Sequence, residues 1–470
     1  MTMNEKSTFY TRYEQHILDS RSLDQHAKHQ FCEVLRTARL SHPQSDGHYQ
    51  VIWNTATTVI APAFFFFTWW VIRRAQEKAI KRLYFLSRDG EIFYRIAQLI
   101  EKKFCIGLEY RYLYGSRHLW LTSCMERVGP RELQWIFSDW WYVLTVRSVC
   151  QRAGIRPDDI KNFLSANGFV DESWDKKLSP SESERLKRCF QDPLLQKKII
   201  DQSENRFQNI VGYLLQEGLD ENVGYAVVDI GWRGKPQASL HKILTRGRIL
   251  PPDGLYGLYF GITEGKEMYQ GDRMDGFLFD LSRSLARFSL RNNHLFEAFA
   301  SSCQGKITDF VNSSGRYAPV LDERSAQAAR QWGVQLQQDG ILEFCGEFLK
   351  SDLSNRLSLE EIYAILNQTL SLFIEKPSSE EAEVYGNFPM DGEMTETSIQ
   401  PIAPLVSRKK FWSLCLNLKK FDLFWIQASL IRSRLNPEKF LWKFALPLIE
   451  IVFYSLQLLS GKTTKILNKK

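Results

Sequence analysis

Leu83-Tyr84-Phe85-Leu86-Ser87-Arg88-Asp89-Gly90, followed by Glu91-Ile92-Phe93-Tyr94-Arg95-Ile96-Ala97-Gln98-Leu99-Ile100, is the stretch whose reading decides the fold. Four apolar or aromatic residues in a row predict a short buried strand. Ser-Arg-Asp-Gly breaks the run, and Ile92, Ile96, Leu99 and Ile100 then return at helical spacing. Strand, tight polar turn and helix make half of a βαβ unit, and ligands of open α/β sheets bind at the carboxyl ends of such strands. The turn sets a hydroxyl, a guanidinium, a carboxylate and a glycine at one helix N-terminus, where main-chain N–H groups favour an anion. The competing reading is local: Ser87 and Asp89 cap the helix and do nothing more.

The pattern repeats. Residues 109–114 alternate like a strand and break at Gly115-Ser116-Arg117. Tyr225-Ala226-Val227-Val228 leads into Asp229-Ile230-Gly231-Trp232-Arg233-Gly234-Lys235-Pro236-Gln237, with a helix expected around 239–244. Residues 255–260 read as a fourth strand. Three strands therefore end in arginine-bearing polar turns, and turns at neighbouring strand ends lie within reach of one ligand. The expected fold is α/β: a mainly parallel, Rossmann-like sheet with an inserted helical cap and a helical C-terminal region.

A chain of 470 residues can hold two or three domains and a full core. Residues 1–48 read as a polar segment with a helical pattern over 13–40, and 49–125 as the first part of the α/β domain. Residues 126–220 form the helical cap, 221–315 the second part of the α/β domain, and 316–375 a further helical region. Within the second part, 271–280 read as a Gly- and Asp-bearing loop and 293–299 as a short helix. Residues 376–406 read as an acidic linker and 407–470 as a basic amphipathic helical tail. The uncharged stretch 49–72 includes four consecutive phenylalanines. Its Asn54, Thr55, Thr57, Thr58 and Pro62 favour a buried core helix beginning at Pro62; a membrane span is the alternative.

The net charge of +7 is uneven: residues 401–470 carry thirteen basic and three acidic side chains, and the rest is slightly acidic. Such a tail argues for an anionic surface partner. Its aromatic-aliphatic stretches, 411–418, 421–431 and 440–459, suit helices lying in a membrane interface, with the closing lysines near anionic headgroups. An ordinary helical subdomain packed on the body is the other reading. No nucleic-acid module accompanies the tail, so nucleic acid is not the expected partner. Eight cysteines without a CxxC pair and eight histidines without ligand spacing argue against a disulfide framework or a zinc site. With no signal-peptide pattern, the expected location is cytoplasmic, peripheral on the inner membrane face.

Asp229, between a strand and a Gly-rich turn, is a candidate base, metal ligand or sugar-hydroxyl acceptor. Asp89 and Glu297 are the other candidate catalytic carboxylates, and His294 beside Glu297 is a further candidate base. Ser87, Gly90, Ser116 and Gly231 line the turns as candidate ligand-binding residues. Arg88, Arg117 and Arg233 are forked, permanently charged clamps for phosphate or carboxylate. Trp232 could stack on a sugar or base. No metal ligand set is assigned, though Mg²⁺ is the ion that carboxylates and a phosphorylated ligand would share. Walker A, GxSxG, HExxH and Asp-x-Asp are all missing, which argues against several large enzyme classes.

At these residues the chain resembles a bacterial family described as predicted haloacid-dehalogenase-superfamily (HAD) hydrolases, found among surface-polysaccharide and glycosyltransferase genes. The likeness rests on the 83–90 motif, on Tyr114-Gly115-Ser116-Arg117, on Val228-Asp229-Ile230-Gly231-Trp232-Arg233-Gly234 with Gln237, and on Gly257-Leu258-Tyr259-Phe260-Gly261. It covers roughly residues 55–310. In the family these motifs look like the module that follows the phosphatase domain, and here only that companion module is expected. The resemblance adds Gly234 and Gln237 to the candidate ligand-binding residues. It implies a membrane-adjacent protein of surface-polysaccharide biosynthesis, binding a phosphorylated sugar or nucleotide-sugar-like anion at the strand ends. As a hydrolase or transferase it would use Asp229 or Asp89 as base or metal ligand. The alternative is a non-catalytic scaffold or regulator of glycosyltransferases. Expected partners are the phosphorylated ligand, the anionic membrane surface, and glycosyltransferases or a separate HAD phosphatase.

Overall fold

The 83–86 run forms β1 (Arg82–Leu86), buried along its whole length. It lies between β2 (Glu109–Leu113) and β3 (Tyr225–Trp232), parallel to both. β4 (Tyr256–Ile262) pairs parallel with β3. A crossover containing the short β5 (Glu267–Tyr269) then leads to β6 (Arg273–Phe279), parallel to β4. The order β2-β1-β3-β4-β6 is that of a doubly wound sheet, so the Rossmann-like α/β architecture is observed. The winding reverses between β1 and β3, which opens a crevice at their carboxyl ends. This computed structural model describes residues 10–20, 24–43, 45–137, 144–263, 267–280, 293–391, 399–407, 424–435 and 465–467.

Both faces of the sheet are covered. Leu83, Phe85, Ala226, Val228, Leu258 and Phe260 face one core, against the helices Ala61–Glu77 and Gly90–Phe104. Tyr84, Leu86 and Val227 face the other, against Pro193–Gln216 and Lys235–Arg246. Residues 271–280, expected as a loop, are mostly β6 instead. Strands covered on both faces lose the polar alternation that marks them in sequence, and Gly271 and Gly276 obscured this one further.

The uncharged stretch belongs to a continuous helical run, Gly47–Glu77, long and apolar enough to cross a membrane by composition; 89% of its most apolar window is buried inside the protein. Phe64 and Phe67 meet Phe93 edge-on at 4.9 and 4.8 Å, and Phe65 and Phe66 pack on Phe348. It is a core helix. It does not start at Pro62 as expected. A π-helical turn, Ala56–Ile60, sits just ahead of the proline and joins it to the helix Gly47–Thr55. The wider turn accommodates a residue without an N–H, and the Thr57 and Thr58 hydroxyls donate to the carbonyls of Trp53 and Asn54. Phe67→Ala should cost about 3–5 kcal/mol, because it empties a site between helix and sheet that Phe93 and Phe260 cannot refill. A urea titration checks this, and a loss below about 1 kcal/mol contradicts it.

The 126–220 insertion is helical but divides. Leu133, Ile136, Val149, Leu164, Phe169, Leu186 and Leu195 belong to a separate core. The far half of Pro193–Gln216 leaves that core and covers the sheet with Phe207, Ile210 and Leu214. A hairpin of β7 (Lys306–Ser313) and β8 (Arg316–Asp322) packs there too, Phe310 stacking on Tyr213 at 4.2 Å. Residues 316–322 are therefore strand, where helix was expected. The supposed acidic linker contains the helix Ser379–Gly386, with Ala382 and Tyr385 fully buried; Glu380 and Glu383 stay exposed, and Glu381 is buried where it accepts from Arg12 and the Tyr13 hydroxyl. Within the tail, Trp425 is buried against Phe373 and the helix Ile426–Arg432 buries Ala428 and Leu430, so these residues pack on the body. The rest of the interfacial-helix expectation, over 411–418 and 440–459, lies outside the described residues.

Candidate functional site

The crevice at β1 and β3 collects three carboxylates. Val228 pairs with Phe85, so Asp229 stands level with the end of β1 and the Ser87–Gly90 turn. Asp229 is 6% exposed and lies within β3, which runs on to Trp232 and past the expected strand end. Asp89 precedes the helix Gly90–Phe104 yet makes no side-chain capping hydrogen bond, which argues against a purely local role. Glu297 comes from the helix Asn293–Phe299, an element that the 293–299 reading anticipated. Its Oε1 accepts from the Trp232 indole N–H at 2.9 Å, and its Oε2 lies 2.9 Å from His294 Nδ1.

The environments push these acids apart. Burial raises Asp89 well above the usual carboxylate range; the charges of Asp229 and Glu297 add to this, and Arg88 opposes it. Burial raises Asp229 to about 7, against main-chain N–H groups of Ile230 and Gly231 that favour its charged form. Burial would raise Glu297 too, but His294, the Trp232 hydrogen bond and the Arg117 charge outweigh it and leave Glu297 below its ordinary value. Burial thus pushes two of the acids upward, and local hydrogen bonds and charges hold the third down. That separation is how a carboxylate site assigns acid and base roles.

The turns contribute unequally. The charge of Arg88 opposes the upward push on Asp89, and that of Arg117 helps hold Glu297 down. Ser87 does not present a spare hydroxyl: its Oγ donates to Gly115 O at 2.8 Å and accepts from Gly115 N–H at 3.0 Å, tying the β1 turn to the β2 turn. Ser116 caps the helix Arg117–Thr122 by accepting from Leu119 N–H. Gly90 is required by close packing, since a Cβ there would lie 2.9 Å from the Phe85 carbonyl carbon. Gly234, at φ +70°, makes room for Met274. Arg233 is exposed. Gln237 is fully buried; its amide donates to Leu255 O and Arg273 O and accepts from the hydroxyl of Tyr259, the register partner of Asp229. Both non-proline cis peptide bonds of the described residues, Ser87–Arg88 and Gly231–Trp232, fall at these turns.

Sequence reasoning missed Tyr112, whose buried hydroxyl has no hydrogen-bond partner among the described residues and which feels Glu91, Asp89 and Arg88. Its place in the alternating β2 run was the one available signal. Among the described residues no group of three or more His, Cys, Asp or Glu side chains is placed to hold a metal ion. The chain matches no protein-family model, and no curated protein is significantly similar to it.

Proposed function

We propose that the crevice binds a phosphorylated sugar or nucleotide-type anion and performs acid–base hydrolysis or group transfer on it. The observation that carries this reading is the Asp89–Asp229–Glu297 cluster, whose acids are pushed in opposite directions by burial and by their partners and feel the charges of Arg88 and Arg117. The arginines offset phosphate charge. Asp229, poised near neutrality, takes or gives the proton at the reacting oxygen, and Glu297, held by Trp232 and His294, stays ionised to orient a hydroxyl or developing positive charge. A place in bacterial surface-polysaccharide biosynthesis follows from the motif resemblance.

The test is a thermal-shift screen against sugar phosphates, nucleotide sugars and phosphoribosyl diphosphate, with and without Mg²⁺. A ligand that binds only the native state raises the melting temperature by mass action. A rise of a few degrees that disappears in Arg88→Ala is the expected result. A folded protein that responds to none of the panel overturns the reading in favour of a non-catalytic scaffold.

A further inference from the structure

The helix Asn293–Phe299, which carries Glu297, is about two turns long, and its last carbonyls have no partner within so short a helix. The helix Val334–Lys350 supplies them, through two consecutive glutamines that are 0% and 1% exposed. Gln337 Nε2 donates to Ala298 O at 3.0 Å and to Phe299 O at 2.9 Å, while its Oε1 accepts from Tyr385 OH at 3.1 Å. Gln338 Nε2 donates to Ser301 O at 3.1 Å and to Glu91 Oε2 at 3.4 Å, while its Oε1 accepts from Arg95 Nη1 at 2.8 Å.

Glu91 completes the network. Its Oε2 also accepts from the Ser302 hydroxyl, whose oxygen accepts in turn from Gln304 N–H at 2.9 Å. Glu91 stands two residues after Asp89, and Ser302 five residues after Glu297. The bond between them therefore ties the turn of one site acid to the helix of another. Leucine, of similar volume, would pack at 337 and 338 without desolvating an amide. Buried amides that make their full set of hydrogen bonds admit one arrangement of the elements they join. Trp232 holds the carboxylate itself: the indole is 9% exposed, lies parallel to Phe279 at 5.6 Å, and donates to Glu297 Oε1.

We propose that Gln337, Gln338, Glu91 and Ser302 are positioning residues, which act through the chain that follows Glu297 and set where its carboxylate stands against Asp89 and Asp229. The proposal rests on the reading of the crevice given above. A helix cap needs only a donor at each carbonyl. This network also joins the capped helix to the Asp89 turn, and that link is what a site of separated carboxylates requires.

The Trp232 indole N–H reports the place of the Glu297 carboxylate without any ligand. In an NMR spectrum of the full chain, isotope-labelled at tryptophan, its signal is the one lost in Trp232→Phe. Ser302→Ala and Gln338→Leu should each move that signal upfield by more than its line width, or split it, as the hydrogen bond to Glu297 lengthens. Glu91→Gln, which keeps an acceptor for the Ser302 hydroxyl, should leave the signal near its wild-type place. Leu164→Ala, in the separate core of the cap, should lower the melting temperature and leave the signal unmoved. If Gln338→Leu fails to fold, Ser302→Ala decides alone. A signal unmoved in the folded network variants overturns the proposal and leaves the glutamines as a helix cap. A signal that moves as far in Leu164→Ala overturns it too, since it then follows stability alone. The ligand screen judges the crevice reading separately. Movement of the signal in a protein that binds no member of the panel upholds the positioning and sinks the crevice reading; the reverse result sinks the positioning alone.

Discussion

Asp229→Asn is expected to lower turnover of a ligand found in the screen by about 10²–10⁴-fold while making the protein more stable at neutral and alkaline pH. Both effects have one cause. The folded-state pKa of Asp229 is about 7, above the ordinary 3.8, so the folded protein holds a proton that the unfolded chain releases. Stability from this group is full below pH ~4, falls as pH rises, and is lost above pH ~7, where a charge must sit buried at 6% exposure. An asparagine accepts the same main-chain hydrogen bonds without that charge. The gain over wild type should reach a few kcal/mol at pH ~8 and vanish near pH ~4. Urea titrations of both proteins across that range check the sign. A variant less stable than wild type at alkaline pH would show that Asp229 carries its charge comfortably, and the acid–base role would lose its basis.

Gly231→Ala should be the most damaging single methyl in the protein. Gly231 sits at φ +133°, where an L side chain is strained, and its register partner across the β3–β4 ladder is Gly261. A Cβ there would collide with the Gly261 carbonyl oxygen, a main-chain atom that cannot swing aside. The expected cost exceeds about 3 kcal/mol, with loss of ligand binding because Asp229 and Trp232 flank the site of collision. Gly346→Ala is the control. In the helix Val334–Lys350 a Cβ on Gly346 meets nothing within 4 Å, and the change should stabilise by up to about 1 kcal/mol. Melting both variants beside wild type settles it: equal behaviour of the two would contradict the steric account.

The strands that frame the crevice were legible because β1 and β3 are apolar runs ending in polar turns, and Asp89 and Asp229 were legible because they stand at those ends. What the turn hydroxyls do was not. Ser116 caps its own helix through Leu119, whereas the bond of Ser87 to Gly115 spans two strand ends, and such a distant hydrogen bond leaves no periodic trace. The partners of Gln237 were equally hidden: Leu255, Arg273 and Tyr259 reach it from three separate segments. Strand β6 and the β7–β8 hairpin were hidden by weak alternation.

The cap and the sheet are stabilised by separate sets of apolar contacts, joined through a helix with one end in each. Substitutions at Leu164 or Phe169 and substitutions at Val228 or Phe85 therefore fall in different packing units, and their effects on stability should add. Arg152 is carried by the cap, whereas Asp89 and Asp229 are carried by the sheet. Across a lineage, the residues of one packing unit can therefore change while those of the other are held constant. Such a partition lets one part of the protein vary without unsettling the rest.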